Sequence, residues 1–153
     1  MSLEWLSAPD YWSARFAVQH LLALAYLLAF LNAALQFRPL LGERGITPVP
    51  HFLARVPARR SPSLFHLHHS DRTFAAVAWT GVVGSGLALV GAADLLPLWA
   101  SVLCWLLLWA LYLSIVNVGQ IWDAFGWESL LLEAGFLAAF LGPAHLAPPA
   151  VVM

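Results

Sequence analysis

The sequence from Ser114 to Gly142 is SIVNVGQIWDAFGWESLLLEAGFLAAFLG, a run that is mostly apolar and aromatic. Its polar members with long or amide side chains are Asn117, Gln120, Asp123, Glu128 and Glu133. A carboxylate held among tryptophans and leucines is costly unless it has a hydrogen-bonding partner or reaches water. We therefore expect this stretch to carry the function, with the rest of the chain as its scaffold.

The two amides lie three residues apart, so a helix continuing through them would project both from one face. Residues 119–128 contain two glycines and three aromatic rings. Amphipathic rings prefer the membrane–water boundary, which predicts a tight interfacial connection over 119–128.

Glu128 and Glu133 are five residues apart, about 140° around a helix, so they do not form a paired-carboxylate site on one face. The helix dipole favours Glu128 in a first turn but does not explain Glu133, one turn deeper. Two interpretations are open. Asn117, Gln120 and Glu133 tie the hairpin to neighbouring helices through buried hydrogen bonds, or they contact a ligand or lipid headgroup.

The composition is that of an integral membrane protein. Of 153 residues, 61% are hydrophobic and 10% are charged, against about 25% charged in ordinary soluble domains. All seven basic residues are arginine, and the net charge is -1. Without a basic helix or a nucleotide-binding glycine motif, nucleic acid is not expected as a partner. The single Cys104 allows no internal disulfide and reads as a small core residue.

Apolar segments predict about four transmembrane helices in one all-α membrane domain spanning residues 1–153, with the lipid bilayer as a partner. These segments are 16–37, 74–93, 97–118 and 129–146. The first has 22 residues without charge, enough to cross a core of about 30 Å. The last is the weakest, because it contains Glu133 and breaks at Gly142. Residues 1–15 predict an interfacial lead-in that is not a removable signal peptide.

The segment from residue 38 to 73 carries six of the seven arginines and is too polar to span a membrane. Apolar residues interrupt it repeatedly, which indicates an ordered loop on the membrane surface. We expect a short helix over Ser63–Asp71.

Three histidines in this loop, His66, His68 and His69, invite a metal interpretation, but their spacing argues against it. On a helix His66 and His69 share a face while His68 points away, and no cysteine or HExxH pattern accompanies them. We expect no metal and no cofactor. His69, Ser70 and Asp71 have the residue types of a hydrolase triad, but immediate neighbours point in different directions.

Packing signals complete the pattern. Small residues at 81/85 and 84/88 predict close helix–helix approach. Trp105, Trp109 and Tyr112 recur at helical spacing, which favours a packing stripe over a cofactor site.

Three strings together resemble the lipase maturation factor family: LLGERGITPVP (40–50), RRSPSLFHLHHSDR (59–72) and LYLSIVNVGQIWDAFGWESLLLEAGFLAAFLGP (111–143). The chain is similar to the amino-terminal membrane portion of that family, whose members continue into further membrane segments and a large carboxy-terminal domain. The family has no established catalytic residues, so none is assigned. Residues matching its motifs, as candidate functional or structural positions, are Gly42, Glu43, Arg44, Gly45, Arg60, Ser61, Pro62, Asp71, Asn117, Gln120, Trp127, Glu128 and Glu133.

The resemblance implies a chaperone-like membrane protein that assists folding or assembly of a client such as a secreted lipase. It also implies the endoplasmic reticulum membrane in a eukaryote, or the inner membrane in a bacterium. The alternative is a membrane enzyme acting on a lipid or acidic substrate, because the loop string is faintly similar to the vitamin-K-dependent carboxylase superfamily. In that version Glu128 or Glu133 is the base and the loop arginines hold the substrate.

Orientation is where two expectations conflict. Six arginines in a short loop place residues 38–73 in the cytoplasm by the positive-inside rule. The family resemblance implies a cytosolic amino terminus, which puts the loop on the opposite side. We favour the family orientation, because arginines paired with carboxylates or lipid phosphates count less as free charges.

Overall fold

The computed structural model describes residues 12–143, with side chains from Ser13 onward. Five α-helices are present in this range: α1 (Trp12–Leu40), α2 (Val49–Leu53), α3 (Asp71–Leu89), α4 (Leu98–Val116) and α5 (Gly126–Ala139). Short 3₁₀ turns cover Leu64–His66 and Ala92–Leu95. The described residues contain no strand, so the all-α prediction is confirmed.

Two helices are long and apolar enough to cross a membrane, namely Ser13–Leu40 within α1 and all of α4. Helix α3 carries Asp71 and Arg72 in its first turn, and α5 has only 14 residues, about 21 Å of rise. Within residues 12–143, therefore, two of the four expected spans form helices that are both long enough and apolar enough to cross a membrane. The predicted lead-in up to residue 11 and the end of the predicted fourth span, 144–146, lie outside the described residues.

The loop helix expected over Ser63–Asp71 is wrong. Only the 3₁₀ turn at Leu64–His66 forms there. Ser70 instead acts as the N-cap of α3, its Oγ accepting a hydrogen bond from the backbone N of Thr73 at 3.0 Å. An N-cap residue takes extended backbone, so a helix cannot run through it.

Close approach of α1 and α3 depends on glycine, as the small-residue pairs predicted. Gly81 is buried and the ring of Phe30 on α1 lies against its Cα. One turn further, Gly84 faces Leu108 of α4. Small residues at these positions let the helix backbones approach each other.

Aromatic rings fill the centre between α1 and α4. Tyr26 and Phe30 each lie with their ring centroid 5.5 Å from that of Tyr112, in edge-to-face geometry. Trp105 contacts Tyr26 at 6.4 Å, and Trp109 packs on Phe136 of α5 at 5.4 Å. The aromatic stripe of α4 is thus helix packing, the interpretation favoured from its spacing.

The helices run back and forth, which brings two connections to one end of the bundle. One is the loop between α1 and α3, residues 41–70, called the docked loop below. The other is the segment between α4 and α5, residues 117–125, called the link. Hydrogen bonds join them directly, since Gln120 and Trp122 both reach Thr47.

Candidate functional site

The docked loop is anchored to the last turn of α4 by four hydrogen bonds. Ser61 Oγ donates to the carbonyl of Asn117 at 2.6 Å, and Asn117 Nδ2 donates back to the carbonyl of Pro62 at 2.6 Å. Ser63 Oγ donates to the carbonyl of Ser114 at 2.8 Å, and Ser114 Oγ accepts from the loop backbone at 3.2 Å. The carbonyls at the end of a helix lack partners within the helix, and here the loop supplies them.

Thr47 is a second junction. Gln120 Nε2 donates to its carbonyl at 2.9 Å, and Trp122 Nε1 donates to its Oγ1 at 2.8 Å. The same threonine donates from its backbone N and its Oγ1 to the carbonyl of Leu40, closing the end of α1. Thr47 therefore connects the end of α1 to the link that follows α4.

The prediction that Asn117 and Gln120 share a helical face is wrong, because α4 ends at Val116. Gln120 lies in left-handed backbone with φ 54°, and the two amides bind different parts of the loop. The expected buried hydrogen bonds to neighbouring helices are not what these amides make: both donate to carbonyls of the docked loop, and these bonds are exposed or partly buried.

The glycines of the GERG string are required by close backbone approach. A Cβ at Gly42 would lie 2.6 Å from the carbonyl oxygen of Arg38, and one at Gly45 would lie 2.9 Å from that of Leu40. Between them, the backbone N of Glu43 donates to Asp71 Oδ1 at 2.9 Å. Gly42, Glu43, Gly45 and Asp71 thus join the end of α1 to the start of α3.

The outer surface of the docked loop is basic and partly apolar. The side chains of Arg44, Arg59 and Arg60 are exposed, and within residues 12–143 none of them pairs with a carboxylate in the structure. Ile46 and Leu67 are 70% and 86% exposed. Of the two kinds of partner expected for the loop arginines, carboxylates and lipid phosphates, the carboxylates in the described part of the chain are not engaged by these three arginines, whose side chains face outward.

A cavity of about 120 Å³ opens at this end of the bundle, called the loop-end cavity below. Its polar lining comes from α1, α4, the link and the start of α5: Asn32, Gln36, Tyr112, Trp122, Asp123 and Trp127. Its apolar lining comes mainly from α1, with Phe74 and Ile115. Trp127, a motif residue, and Asp123 therefore meet in one concave site.

Asp123 is the acidic group of this cavity. Its carboxylate occupies the space that a side chain at Gly119 would take. Burial, and secondly the neighbouring Glu128, raise the pKa of Asp123 to about 6 from its ordinary value of 3.8. Desolvation and a like charge both disfavour the ionised form, so Asp123 keeps its proton to a higher pH than an ordinary aspartate does.

Glu128 lies in the first turn of a helix, as expected, but Glu133 is not buried. Glu128, in the first turn of α5, is only 2% exposed, and its Oε2 has no hydrogen-bond partner among residues 12–143. Glu133 is exposed on the outer face, beside Trp109, Leu113 and Phe136. The prediction of a buried network through Glu133 is wrong. Residues about 140° apart cannot both face the core, and the core side belongs to Glu128.

The loop histidines do not converge. His66 Nε2 contacts the carbonyl of Ser61 at 3.0 Å, and the ring of His69 packs edge-on against Phe65. Burial lowers the pKa of His69, which favours its neutral form. Among the residues that the structure describes, no group of three or more His, Cys, Asp or Glu side chains could hold a metal. Ser70 and Asp71 are engaged in the cap and in the contact with Glu43.

The opposite end of the bundle has a polar clamp that the sequence reasoning missed. Arg15 donates to the carbonyls of Leu141, Gly142 and Pro143 at 2.6–3.2 Å, and the buried Gln19 donates to Gly142 at 2.8 Å. A cation at a helix C-terminus complements the dipole. The signal was available, since Arg15 is the basic residue next to the first apolar run.

Ser63, Ser114 and Thr47 were also missed. The position of a hydroxyl residue in the sequence does not indicate its hydrogen-bond partner. Ser63 donates to the carbonyl of Ser114, 51 residues away, and Thr47 donates to the carbonyl of Leu40 at the end of α1.

The family model for the lipase maturation factor transmembrane domain matches residues 13–152. Lipase maturation factor 1 of Bos taurus is 38% identical over 152 residues, covering 90% of this chain and 26% of the relative. The Mus musculus protein is 38% identical with similar coverage. Lipase maturation factor 2 of Homo sapiens is 36% identical, covering 79% of this chain and 18% of the relative. The chain thus spans about a quarter or less of these relatives. No solved structure matches it.

Proposed function

Because the chain belongs to the lipase maturation factor family, we propose that it is the membrane-embedded part of a helper that brings a lipase, or another secreted client, to its folded or assembled form. The observation that carries the proposal is the match over residues 13–152. The matched range contains all three motif strings and the residues whose hydrogen bonds join the docked loop to α4.

The geometry supports a scaffold more than a catalyst. Motif residues Ser61, Asn117 and Gln120 are consumed in hydrogen bonds that order the loop. Glu133 lies in a groove whose lining contains none of the loop arginines, so the base and substrate holder of the enzyme alternative are not brought together there. An ordered basic surface with exposed Ile46 and Leu67 suits contact with a client or a membrane surface.

The finer membrane arrangement is part of the proposal. We place α3 and α5 across the membrane beside α1 and α4, giving four spans with the docked loop and link on one side. Helix α5, although short, is accommodated by local thinning of the bilayer. The location is the endoplasmic reticulum membrane in a eukaryote and the inner membrane in a bacterium.

Lipase secretion by a chimera tests the function. Residues 13–143 replace the matching segment of Bos taurus lipase maturation factor 1, and the chimera is expressed with a secreted lipase in cells lacking their own factor. We expect lipase activity in the medium well above that with empty vector. A chimera that accumulates in membranes at the level of the bovine protein but yields no active lipase would contradict the proposal.

A matched pair of variants tests the role of loop docking. Asn117→Ala in the chimera removes one of the four hydrogen bonds between the docked loop and α4 and should lower secreted activity, because the basic surface is held less firmly. Glu133→Gln changes an exposed carboxylate of the same hairpin and should leave secretion unchanged. If both variants secreted as much active lipase as the unmodified chimera, docking of the loop would not be needed for the function.

Orientation is tested by labelling. Single cysteines at Ala58 and, separately, at Ala8 are introduced in a Cys104→Ala background. In the family orientation, an impermeant maleimide applied to the lumenal or periplasmic side labels only residue 58. Labelling of residue 8 alone would restore the charge rule.

A further inference from the structure

We propose that the loop-end cavity binds the ammonium group of a zwitterionic membrane lipid, held by the Asp123 carboxylate and the rings of Trp122 and Trp127. The inference goes beyond client maturation and rests only on the membrane location of the chain.

The size of the cavity suits such a group. At about 120 Å³ it is larger than the roughly 10–15 Å³ needed to hold one water molecule, and close to the roughly 150 Å³ of engineered cavities that hold benzene. A trimethylammonium or ammonium head fits this volume.

The charge of the cavity selects a cation. Asp123 is in its wall and no arginine or other basic side chain lines it, among the residues that the structure describes. Glu128 lies close enough to raise the pKa of Asp123, and its buried Oε2 has no hydrogen-bond partner within residues 12–143. A ligand cation beside Asp123 supplies a counter-charge to this partly buried acidic group.

The aromatic lining selects the kind of cation. Trp122, Trp127 and Tyr112 line the same cavity as Asp123. Indole rings attract desolvated cations, and aromatic cages are a common means of binding quaternary ammonium groups. The amides of Asn32 and Gln36 in the same lining can donate to an adjoining phosphate oxygen.

The position of the cavity favours a lipid over a soluble amine. It lies at the end of the bundle where Phe125 of the link and Trp127 of α5 are exposed. Tryptophan in particular is enriched at the membrane–water boundary. Lipid headgroups occupy that layer.

The test compares lipids that differ in the ammonium group. Purified protein in a neutral detergent is titrated with phosphatidylcholine or phosphatidylglycerol, and bound lipid is counted by native mass spectrometry. We expect phosphatidylcholine to bind roughly tenfold more tightly, as a carboxylate and two cation–π contacts imply. Equal binding of the two lipids would overturn the proposal.

Variants locate the site. Asp123→Asn and, separately, Trp127→Leu should each remove most of the preference for phosphatidylcholine, and either suffices if the other fails to fold. Glu133→Gln is the matched control, because it removes a carboxylate of the same hairpin outside the cavity, and should keep the preference. A preference that survives in both cavity variants would refute the assignment.

Free choline separates the two sources of the ligand. If choline chloride at millimolar concentration displaced phosphatidylcholine from the wild-type protein, the site would belong to a soluble amine, and the lipid assignment would be wrong. If a chimera carrying a cavity variant lost the preference for phosphatidylcholine but still secreted active lipase, the lipid site would be independent of the proposed function, which would remain supported.

Discussion

The contact between Gly81 and Phe30 offers the sharpest test of the helix packing. Phe30 is fully buried, and its ring packs against both Tyr26 and Tyr112. A methyl group at residue 81 would overlap the Cγ, Cδ1 and Cε1 atoms of that ring. The perturbation is Gly81→Ala, a single added carbon on the face of α3 that touches α1.

The expected cost follows from the packing. Carbon atoms pack at about 3.5–4.0 Å, so the ring or the helix must shift by roughly 1.5 Å. Two neighbouring rings hold Phe30 in place, and overpacking of this kind costs about 1–3 kcal/mol. Alanine also gains about 1 kcal/mol over glycine in a helix interior, which offsets part of that cost.

Gly86→Ala is the matched control on the same helix. Nothing lies within 4 Å of a Cβ at Gly86, so only the gain in helix propensity applies there. The two variants should therefore differ by the overpacking cost alone, about 1–3 kcal/mol, or roughly 2–12 °C in apparent Tm at 2–4 °C per kcal/mol.

Thermal unfolding in detergent, followed by tryptophan fluorescence at one scan rate, measures the difference. The Phe30→Leu background adds a second check, because a smaller side chain should reduce the cost of alanine at residue 81. Gly81→Ala as stable as Gly86→Ala would show that the α1–α3 contact is not as described.

Three further predictions concern the polar groups. Asp123→Asn should be more stable than wild type above pH 6 and equal to it below pH 4: the folded pKa is raised from 3.8 to about 6, so wild-type stability falls as pH rises through that window. The full shift corresponds to about 3 kcal/mol, reduced to roughly 1–1.5 kcal/mol for a partly exposed group, and the difference in Tm between the two proteins at pH 4 and 7.5 measures it. Glu133→Leu should change the apparent Tm in detergent by less than the equivalent of about 0.5 kcal/mol, because its side chain is exposed; a large loss would revive the buried network. Arg15→Gln should destabilise by about 1–3 kcal/mol through its lost bonds to the end of α5, and limited proteolysis that attacks residues 139–143 no faster than in wild type would contradict this.

Composition and local pattern were sufficient for the fold class. The charged fraction is a matter of composition, and the apolar runs and small-residue pairs are patterns within short stretches of sequence. The apolar runs correspond to the helices α1, α3 and α4, and the small-residue pairs correspond to the contacts at Gly81 and Gly84. The three motif strings were likewise sufficient for the family, because they are contiguous in sequence.

Tertiary structure decided which polar groups are buried. Helical spacing shows that Glu128 and Glu133 face different directions, but not which direction is the core, since that depends on where α1 and α4 pack. The tertiary structure likewise placed Thr47 within hydrogen-bonding distance of Gln120 and Trp122. It also brought Asp123 into the loop-end cavity beside Asn32 and Gln36 of α1, which lie some 90 residues earlier in the sequence. Burial and long-range hydrogen bonds arise from the meeting of distant segments, whereas periodicity reports only the shape of each segment by itself.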